Sequence, residues 1–103
     1  MFNFDKTMEE VRADMQDDDV LLVDVREIDE FANGHIPDAI NVPLSELDQS
    51  AEIMLPKDKK LYVYCRSGQR STTAKRKLLE MGFEEVYNVG GIISWPYEVE
   101  TGA

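Results

Sequence analysis

The stretch KLYVYCRSGQRSTTAKRKLLEM, residues 60–81, places a β-prone run, a short polar loop and an amphipathic segment in direct succession. The branched and aromatic side chains that end at Cys65 predict a strand. The helical spacing of Ala74, Leu78 and Met81 predicts a helix after the loop. Strand, loop and helix in this order are typical of a parallel sheet, so the stretch favours an α/β fold.

Three further runs predict strands. VLLVDV at 20–25 is apolar almost throughout, as expected of a strand that is covered on both faces of a parallel sheet. AINV at 39–42 and EVYNV at 85–89 are shorter runs of the same kind. Phe2–Phe4 is a candidate edge strand.

The segments between these strands have the features of helices. TMEE at 7–10 is a capping box, which predicts a helix start. EIDEFANG at 27–34 predicts a short helix stopped by its glycine, and LSELDQSAEIML at 44–55 predicts a helix in two pieces. GGIISWPYEV at 90–99 predicts a turn into a terminal helix. Helices that alternate with strands strengthen the α/β assignment.

The size and composition predict a single domain over residues 1–103. The chain has a mass of 11.8 kDa and a hydrophobic fraction of 43%, enough for one core. No apolar run reaches spanning length and the start does not resemble a secretion signal, so we expect a cytoplasmic protein with no membrane partner. One cysteine excludes an internal disulfide, and with His35 as the one histidine a Cys/His zinc site is excluded too. We expect no metal and no cofactor.

The charge of the chain is unevenly distributed. A net charge of -10 argues against nucleic acid and anionic membranes as partners. Residues 57–77 nevertheless hold eight basic residues and one acid, a net charge of +7, so the rest of the chain carries -17. We interpret the cations at 75–77 as a solvated helix face, whereas Arg66 and Arg70 bracket the cysteine. This predicts a local attraction for a small anion.

Cys65 is expected to be a nucleophile. It ends a strand of an α/β sheet, where such folds keep their ligand sites, and the backbone N–H groups of a loop that enters a helix favour an anion. The helix N-terminus, Arg66 and Arg70 should lower the pKa of the thiol. Gly68 can adopt a positive φ, and Ser71 could cap the helix and donate to the sulfur. The alternative is a buried cysteine that acts as a small hydrophobe.

Several nucleophile classes lack a required residue. Papain-like catalysis needs a histidine base, and His35, in the loop-to-strand segment GHIPDAIN, is better interpreted as a structural hydrogen-bonding residue. A thiol oxidoreductase would need a resolving cysteine. A cysteine phosphatase places five residues between its cysteine and arginine, whereas four separate Cys65 from Arg70. The smaller loop suits a single sulfur atom better than a phosphate.

Taken together, these residues resemble the rhodanese family, the single-domain thiosulfate sulfurtransferases. The resemblance extends from about residue 7 to residue 95. Four motifs in order carry it: LLVDVRE at 21–27, GHIPDAINVP at 34–43, CRSGQRS at 65–71 and VGGIISW at 89–95. It implies five parallel strands flanked by helices on both faces, and an active loop of six residues, 65–70, called the cysteine loop below.

The resemblance also implies roles for individual residues. Cys65 would be the catalytic residue that accepts a sulfane sulfur as a persulfide. The substrate-binding residues would be those of the rest of the loop: Arg66, Ser67, Gly68, Gln69 and Arg70. Supporting roles would fall to Ser71, Asp24 and Arg26, the last two as a structural pair at a strand end rather than as catalysts.

Three other positions complete the comparison with the family. Gly90 and Gly91 are expected to form a close-approach turn beside the cysteine loop, and Trp95 is expected in the core. Asp38 stands where the family usually has glycine after HIP. Since aspartate tolerates left-handed backbone better than most residues, we expect the turn to survive.

The resemblance predicts a two-step sulfur transfer. Thiosulfate, or another small anionic sulfur donor, would load Cys65, and cyanide or a thiol would take the sulfur from the persulfide. The alternative is a rhodanese-like module that relays sulfur between protein partners, or binds a partner, without turning over thiosulfate. A small phosphatase or arsenate reductase is a third possibility, disfavoured by loop length.

Overall fold

The computed structural model describes residues 4–102 of the 103. The strands are β1 (Val20–Asp24), β2 (Ile40–Asn41), β3 (Lys60–Cys65) and β4 (Glu85–Gly91). The helices are α1 (Met8–Asp14), α2 (Ile28–Asn33), α3 (Leu47–Met54) and α4 (Gln69–Glu80), and short 3-10 turns cover Leu44–Glu46 and Ile92–Ser94. Within the described range, no helix has the length and apolarity needed to cross a membrane.

All the strands of the described part pair in parallel, in the order β2-β1-β3-β4. The prediction of five strands is wrong for residues 4–102, which form four. The fifth strand was implied by the family resemblance, and most of its candidate, Phe2–Phe4, lies outside the described residues. The backbone N–H of Asp5 donates to the carbonyl of Asn88 over 2.9 Å, so the chain reaches β4 there without a described ladder.

The sheet separates two apolar clusters, which is why its central strands are apolar on both faces. Along β3, Leu61, Val63 and Cys65 face a cluster that includes α3 and α4. Tyr62 and Tyr64 face the opposite cluster, which includes α1. Because successive side chains of a strand point to opposite faces, one apolar run supplies both cores. Helices therefore flank both faces, as predicted.

A β-bulge interrupts the pairing of β3 with β4 next to the cysteine. Val63 pairs with Asn88, but Tyr64 pairs with Gly90, so Val89 is an extra residue on β4. Gly90 has a φ of 98°, a conformation that glycine adopts without strain. Bulges of this kind re-aim side chains beside functional sites, and this one lies one residue from the end of β3.

The predicted terminal helix is absent from the described residues. The chain makes a 3-10 turn at Ile92–Ser94, and Trp95 then has extended backbone with φ -79° and ψ 112°. Pro96 accounts for this, because a proline disfavours helical backbone in the residue before it. Glu100 instead pairs with His35 in an antiparallel bridge. Trp95 is buried in the α1-side cluster, as predicted.

Candidate active site

Strand β3 ends at Cys65, which is also the first residue of the cysteine loop. The prediction that the cysteine ends a strand is confirmed. Its exposed fraction is only 1%, although Arg66, Ser67 and Gln69 around it are exposed. The backbone N–H of Gly68 donates to Cys65 Sγ over 3.0 Å. The sulfur is therefore buried, and it still accepts a hydrogen bond from the backbone, as a thiolate would.

Burial and hydrogen bonding have opposite effects on the Cys65 thiol. Burial raises its pKa, while hydrogen bonds from the Ser71 hydroxyl and from the backbone N–H groups of Ser71, Gly68 and Ser67 lower it. The hydrogen bonds outweigh burial, so the pKa of Cys65 lies below its ordinary value. The main cause differs from the one expected from sequence, because the hydrogen bonds from the loop backbone and the Ser71 hydroxyl lead the causes that lower this pKa. Arg70 also interacts electrostatically with Cys65.

Ser71 is not the cap of α4. The helix begins at Gln69, and its N-cap is Gly68, whose φ of 106° suits glycine. Ser71 is buried inside the first turn, with Oγ 3.6 Å from Cys65 Sγ. The cap lies three residues earlier than predicted, because glycine can adopt the left-handed backbone that begins this helix without a side-chain cap.

Asn88 is a polar neighbour of the site that sequence reasoning assigned to a strand and did not single out. Its exposed fraction is 9%. The Ser71 hydroxyl donates to Asn88 Oδ1 over 2.7 Å, and Asn88 Nδ2 donates to Thr72 Oγ1 over 2.9 Å. An asparagine between Tyr87 and Val89, in an otherwise apolar run, was the signal that could have identified it, because a buried amide needs polar partners.

Strand β4 contacts the cysteine loop closely at Gly91, but Gly90 and Gly91 lie in the strand and not in the predicted turn. A Cβ at Gly91 would clash with the backbone of Arg66 and Ser67, so no other residue fits. The N–H of Ile93 also donates to the Arg66 carbonyl over 3.2 Å. The loop backbone is thus held against β4, which limits how the sulfur can be approached.

The two arginines of the loop have different surroundings. Arg70 forms a two-point ion pair with Glu30 of α2, with distances of 2.7 Å and 3.0 Å. These hydrogen bonds lower the pKa of Glu30 to about 2 and raise the pKa of Arg70. Within residues 4–102, Arg66 makes no side-chain ion pair. Arg66 is therefore the cation at the loop whose charge is not offset by a carboxylate.

The family model of the rhodanese-like domain matches residues 7–96. The chain belongs to this family. A sulfurtransferase of Allochromatium vinosum is 46% identical over 80 residues, which cover 76% of this chain and 73% of that protein. A solved rhodanese with anions from E. coli is 33% identical, with a TM-score of 0.72 over 81% of this chain and 99% of that one.

A longer relative is the adenylyltransferase and sulfurtransferase uba4 of Ogataea parapolymorpha. It is 35% identical over 80 residues, which cover 77% of this chain but only 21% of that protein. The similarity is thus limited to a rhodanese-like portion of the larger chain. These comparisons support a role in sulfur transfer of the rhodanese type.

In this rhodanese-like domain, Asp24 and Arg26 form a buried structural pair. Arg26 Nη2 donates to Asp24 Oδ2 over 2.7 Å, and Arg26 Nε reaches both carboxylate oxygens over 3.1 Å. Arg26 Nη2 also donates to the carbonyl of Gly34 over 2.7 Å. The pair links the end of β1 to the segment after α2.

In the rhodanese-like motif GHIPDAIN, His35 makes a hydrogen bond inside the fold and Asp38 has the predicted backbone conformation. The buried His35 ring stacks on Phe31, with ring centroids 3.8 Å apart. His35 Nδ1 lies 2.9 Å from the Phe31 carbonyl, which can only accept, so Nδ1 is the donor. Asp38 has a φ of 71°, the left-handed backbone expected where the family has glycine.

Most cations of the basic segment 57–77 have acceptors from elsewhere in the chain. Carboxylates pair with Lys57, Arg70, Lys75, Arg76 and Lys77, while Lys59 donates to a backbone carbonyl. Three of those carboxylates are distant in sequence: Asp5, Glu30 and Asp48. The net positive charge seen in the sequence is therefore largely offset on the folded surface.

Proposed function

We propose that this rhodanese-like protein is a sulfurtransferase in which Cys65 accepts a sulfane sulfur as a persulfide and passes it to a thiophilic acceptor. The observation that carries the proposal is the 3.0 Å hydrogen bond from the Gly68 N–H to Cys65 Sγ. A donor aimed at a buried sulfur stabilises its anionic form, which is the nucleophilic form. Arg66, Ser67 and Gln69 would form the exposed mouth through which a donor enters.

The first step forms one S–S bond and breaks another. The Cys65 thiolate attacks the outer sulfur of thiosulfate, and the electron pair of the broken S–S bond leaves with sulfite. The persulfide keeps one negative charge on its outer sulfur, so the total charge is unchanged. In the second step an acceptor such as cyanide or a thiolate attacks that outer sulfur, and the Cys65 thiolate returns. No proton must be removed if the thiolate is already present.

The proposal is tested by the intact mass of the reduced protein before and after thiosulfate, with Cys65→Ser as the matched control. We expect the wild type alone to gain one sulfur atom, which cyanide then removes. A gain in Cys65→Ser as well would contradict the assignment of the residue. Absence of a gain from thiosulfate and from a small persulfide such as cysteine persulfide would contradict the proposed transfer itself.

A second candidate is a relay in which the donor or the acceptor is another protein. The ion pair of Arg70 with Glu30 favours it, because the pair leaves Arg66 as the uncompensated cation for a dianion such as thiosulfate. The similarity to a chain named both adenylyltransferase and sulfurtransferase also supports it. A persulfide on a protein thiol carries less charge than thiosulfate and needs less neutralisation at the loop.

The two candidates are distinguished by comparing two sulfur donors in separate reactions. The protein is offered thiosulfate and a cysteine desulfurase supplied with cysteine, and the rate of mass gain is measured for each. Faster loading from the desulfurase at matched sulfur concentration favours the relay. Faster loading from thiosulfate favours the small-molecule enzyme. Cys65→Ser again shows which gain depends on the cysteine.

A further inference from the structure

The Ser71 hydroxyl has one proton and several acceptors within reach. Oγ lies 2.7 Å from Asn88 Oδ1, 3.0 Å from the Gly68 carbonyl and 3.6 Å from Cys65 Sγ. The shortest of these contacts is to Asn88, not to the sulfur. A hydroxyl donates one hydrogen bond at a time, so a Ser71 hydroxyl that donates to Asn88 does not donate to Cys65 Sγ.

The orientation of the Asn88 amide follows from its neighbours. The N–H of Gly90 can only donate, and it points at Asn88 Oδ1 over 3.0 Å. The Gly68 carbonyl can only accept, and it lies 3.4 Å from Asn88 Nδ2. Rotation of the amide by half a turn would place donor against donor and acceptor against acceptor. Asn88 therefore presents an oxygen to Ser71, and this oxygen competes with the sulfur for the hydroxyl proton.

We propose that Asn88 is a positioning residue that holds the Ser71 proton away from Cys65 while the sulfur is uncharged and releases it when the sulfur is anionic. In the thiol form, Ser71 donates to Asn88 Oδ1 and its oxygen is free to accept from the Cys65 S–H. In the thiolate form, the Ser71 hydroxyl turns to the sulfur. The Gly90 N–H remains on Asn88 Oδ1, so the amide is not left without a partner.

This inference rests on the proposed sulfur transfer for its biological meaning. During that cycle the charge leaves Cys65 Sγ when the outer sulfur is loaded and returns when the acceptor removes it. The Ser71 hydroxyl would rotate with this change of charge. It would donate to Asn88 Oδ1 in the persulfide and to Cys65 Sγ in the thiolate. The Ser71 hydroxyl thus has an acceptor in both states, Asn88 Oδ1 in the persulfide and Cys65 Sγ in the thiolate.

Several charged groups surround this corner and must stay constant in a test. They are Arg66 and Arg70 of the loop and α4, Glu30 of α2, the Asp24–Arg26 pair at the end of β1, and the Asp5–Lys75 pair next to Asn88. Neutral substitutions of Asn88 and Ser71 alter none of these charges. A change in the titration of Cys65 would then report the hydrogen bonds rather than the field.

The test is the pH titration of the thiolate absorbance near 240 nm, with the Cys65→Ser spectrum subtracted. Loss of the donor in Ser71→Ala should raise the pKa of Cys65 by about 1 unit. Asn88→Ala should lower it by roughly half a unit, because the nearest acceptor that competes with the sulfur is then removed and only the Gly68 and Gly90 carbonyls still compete. In the Asn88→Ala/Ser71→Ala double variant, the value should equal that of Ser71→Ala. A residue that only braced the loop would raise the pKa when removed.

Two results overturn the inference. One is an unchanged or raised pKa of Cys65 in Asn88→Ala. The other is a pKa in the double variant that lies below the pKa in Ser71→Ala. Should Asn88→Ala fail to fold, Asn88→Asp keeps an acceptor but adds a carboxylate whose charge raises the pKa of Cys65 whether residue 71 is serine or alanine. The inference requires a larger rise when Ser71 is present than when it is alanine. An equal rise in both backgrounds contradicts the inference. The titration uses no sulfur donor, so its failure leaves the mass-gain test of sulfur transfer untouched.

Discussion

Two arginine–carboxylate pairs lie near the end of β3, and they differ in burial far more than in geometry. The closest nitrogen–oxygen distance is 2.7 Å in both. In the first pair the Arg26 and Asp24 side chains are 7% and 0% exposed. In the second the Arg70 and Glu30 side chains are 35% and 31% exposed. The same contact therefore exists in two different dielectric environments.

The difference separates a pair that maintains the fold from a pair that adjusts the site. A buried charge that loses its partner has no water to replace it, so the cost falls on folding. An exposed pair gains little from its contact, because water and salt screen both charges. Its charges still act on an anion at the loop. The predictions below examine this division, from the largest expected effect to the smallest.

Asp24→Asn should give the largest loss of stability. It leaves the buried Arg26 guanidinium without a counter-charge, and we expect the free energy of unfolding to fall by about 3–5 kcal/mol in a urea titration. Glu30→Gln is the matched control, since it makes the same chemical change in the exposed pair and should cost below about 1 kcal/mol. Similar losses in the two variants would remove the basis of the comparison.

Glu30→Gln should instead change donor selection. It removes the carboxylate that offsets Arg70, so we expect kcat/KM for the dianion thiosulfate to rise about fivefold, the equivalent of roughly 1 kcal/mol for one charge near a protein surface. Benzenethiosulfonate, a monoanion with the same sulfur–sulfur chemistry, should gain less. A rise of the same size for both donors would show that charge at Arg70 does not select between them.

Acid should weaken the exposed pair within a defined range of pH. The pKa of Glu30 is about 2 in the folded protein against an ordinary value of 4.5, so its contribution is complete above pH 4.5 and is lost as the pH falls towards 2. After allowance for solvent screening, we expect roughly 0.5–1 kcal/mol. The difference in unfolding free energy between wild type and Glu30→Gln measures it. A difference that does not shrink between pH 6 and pH 3 contradicts this assignment.

Arg66→Ala should give the smallest effect. The side chain is exposed and makes no ion pair among residues 4–102, so its removal should leave the free energy of unfolding unchanged. The KM for thiosulfate should rise roughly two- to threefold, because an exposed cation attracts a dianion only through screened charge. Salt should abolish the difference. An unaltered KM at low salt would mean that Arg66 does not attract the donor.

The elements of the fold were largely predictable because their signals are local. The capping box at Thr7, the apolar run of β1 and the strand that ends at Cys65 are each determined by residues that lie close together in the chain. The missing terminal helix is the exception among the described elements, because Pro96 disfavours helical backbone at Trp95. The fifth strand came from the family and not from an apolar run in the described residues.

The details of the site were less predictable because they depend on distant residues. Glu30 and Arg70 are 40 positions apart, and no local pattern shows that they form a pair. Asn88 and Ser71 are 17 positions apart and meet next to the bulge at Val89, which has no clear sequence signature here. The sequence predicted Cys65 as the nucleophile, whereas the pairing of Arg70 with Glu30 and of Ser71 with Asn88 depends on tertiary contacts.

The burial of the single thiol has a consequence for the study of loop dynamics. Cys65 is the one cysteine of the chain and is 1% exposed, so a bulky thiol reagent cannot reach it in this conformation. We expect labelling at high reagent concentration to proceed at the rate at which local unfolding exposes the sulfur, by the same logic as amide exchange. The protein thus contains its own probe of that motion, with no label to introduce and no second thiol to remove.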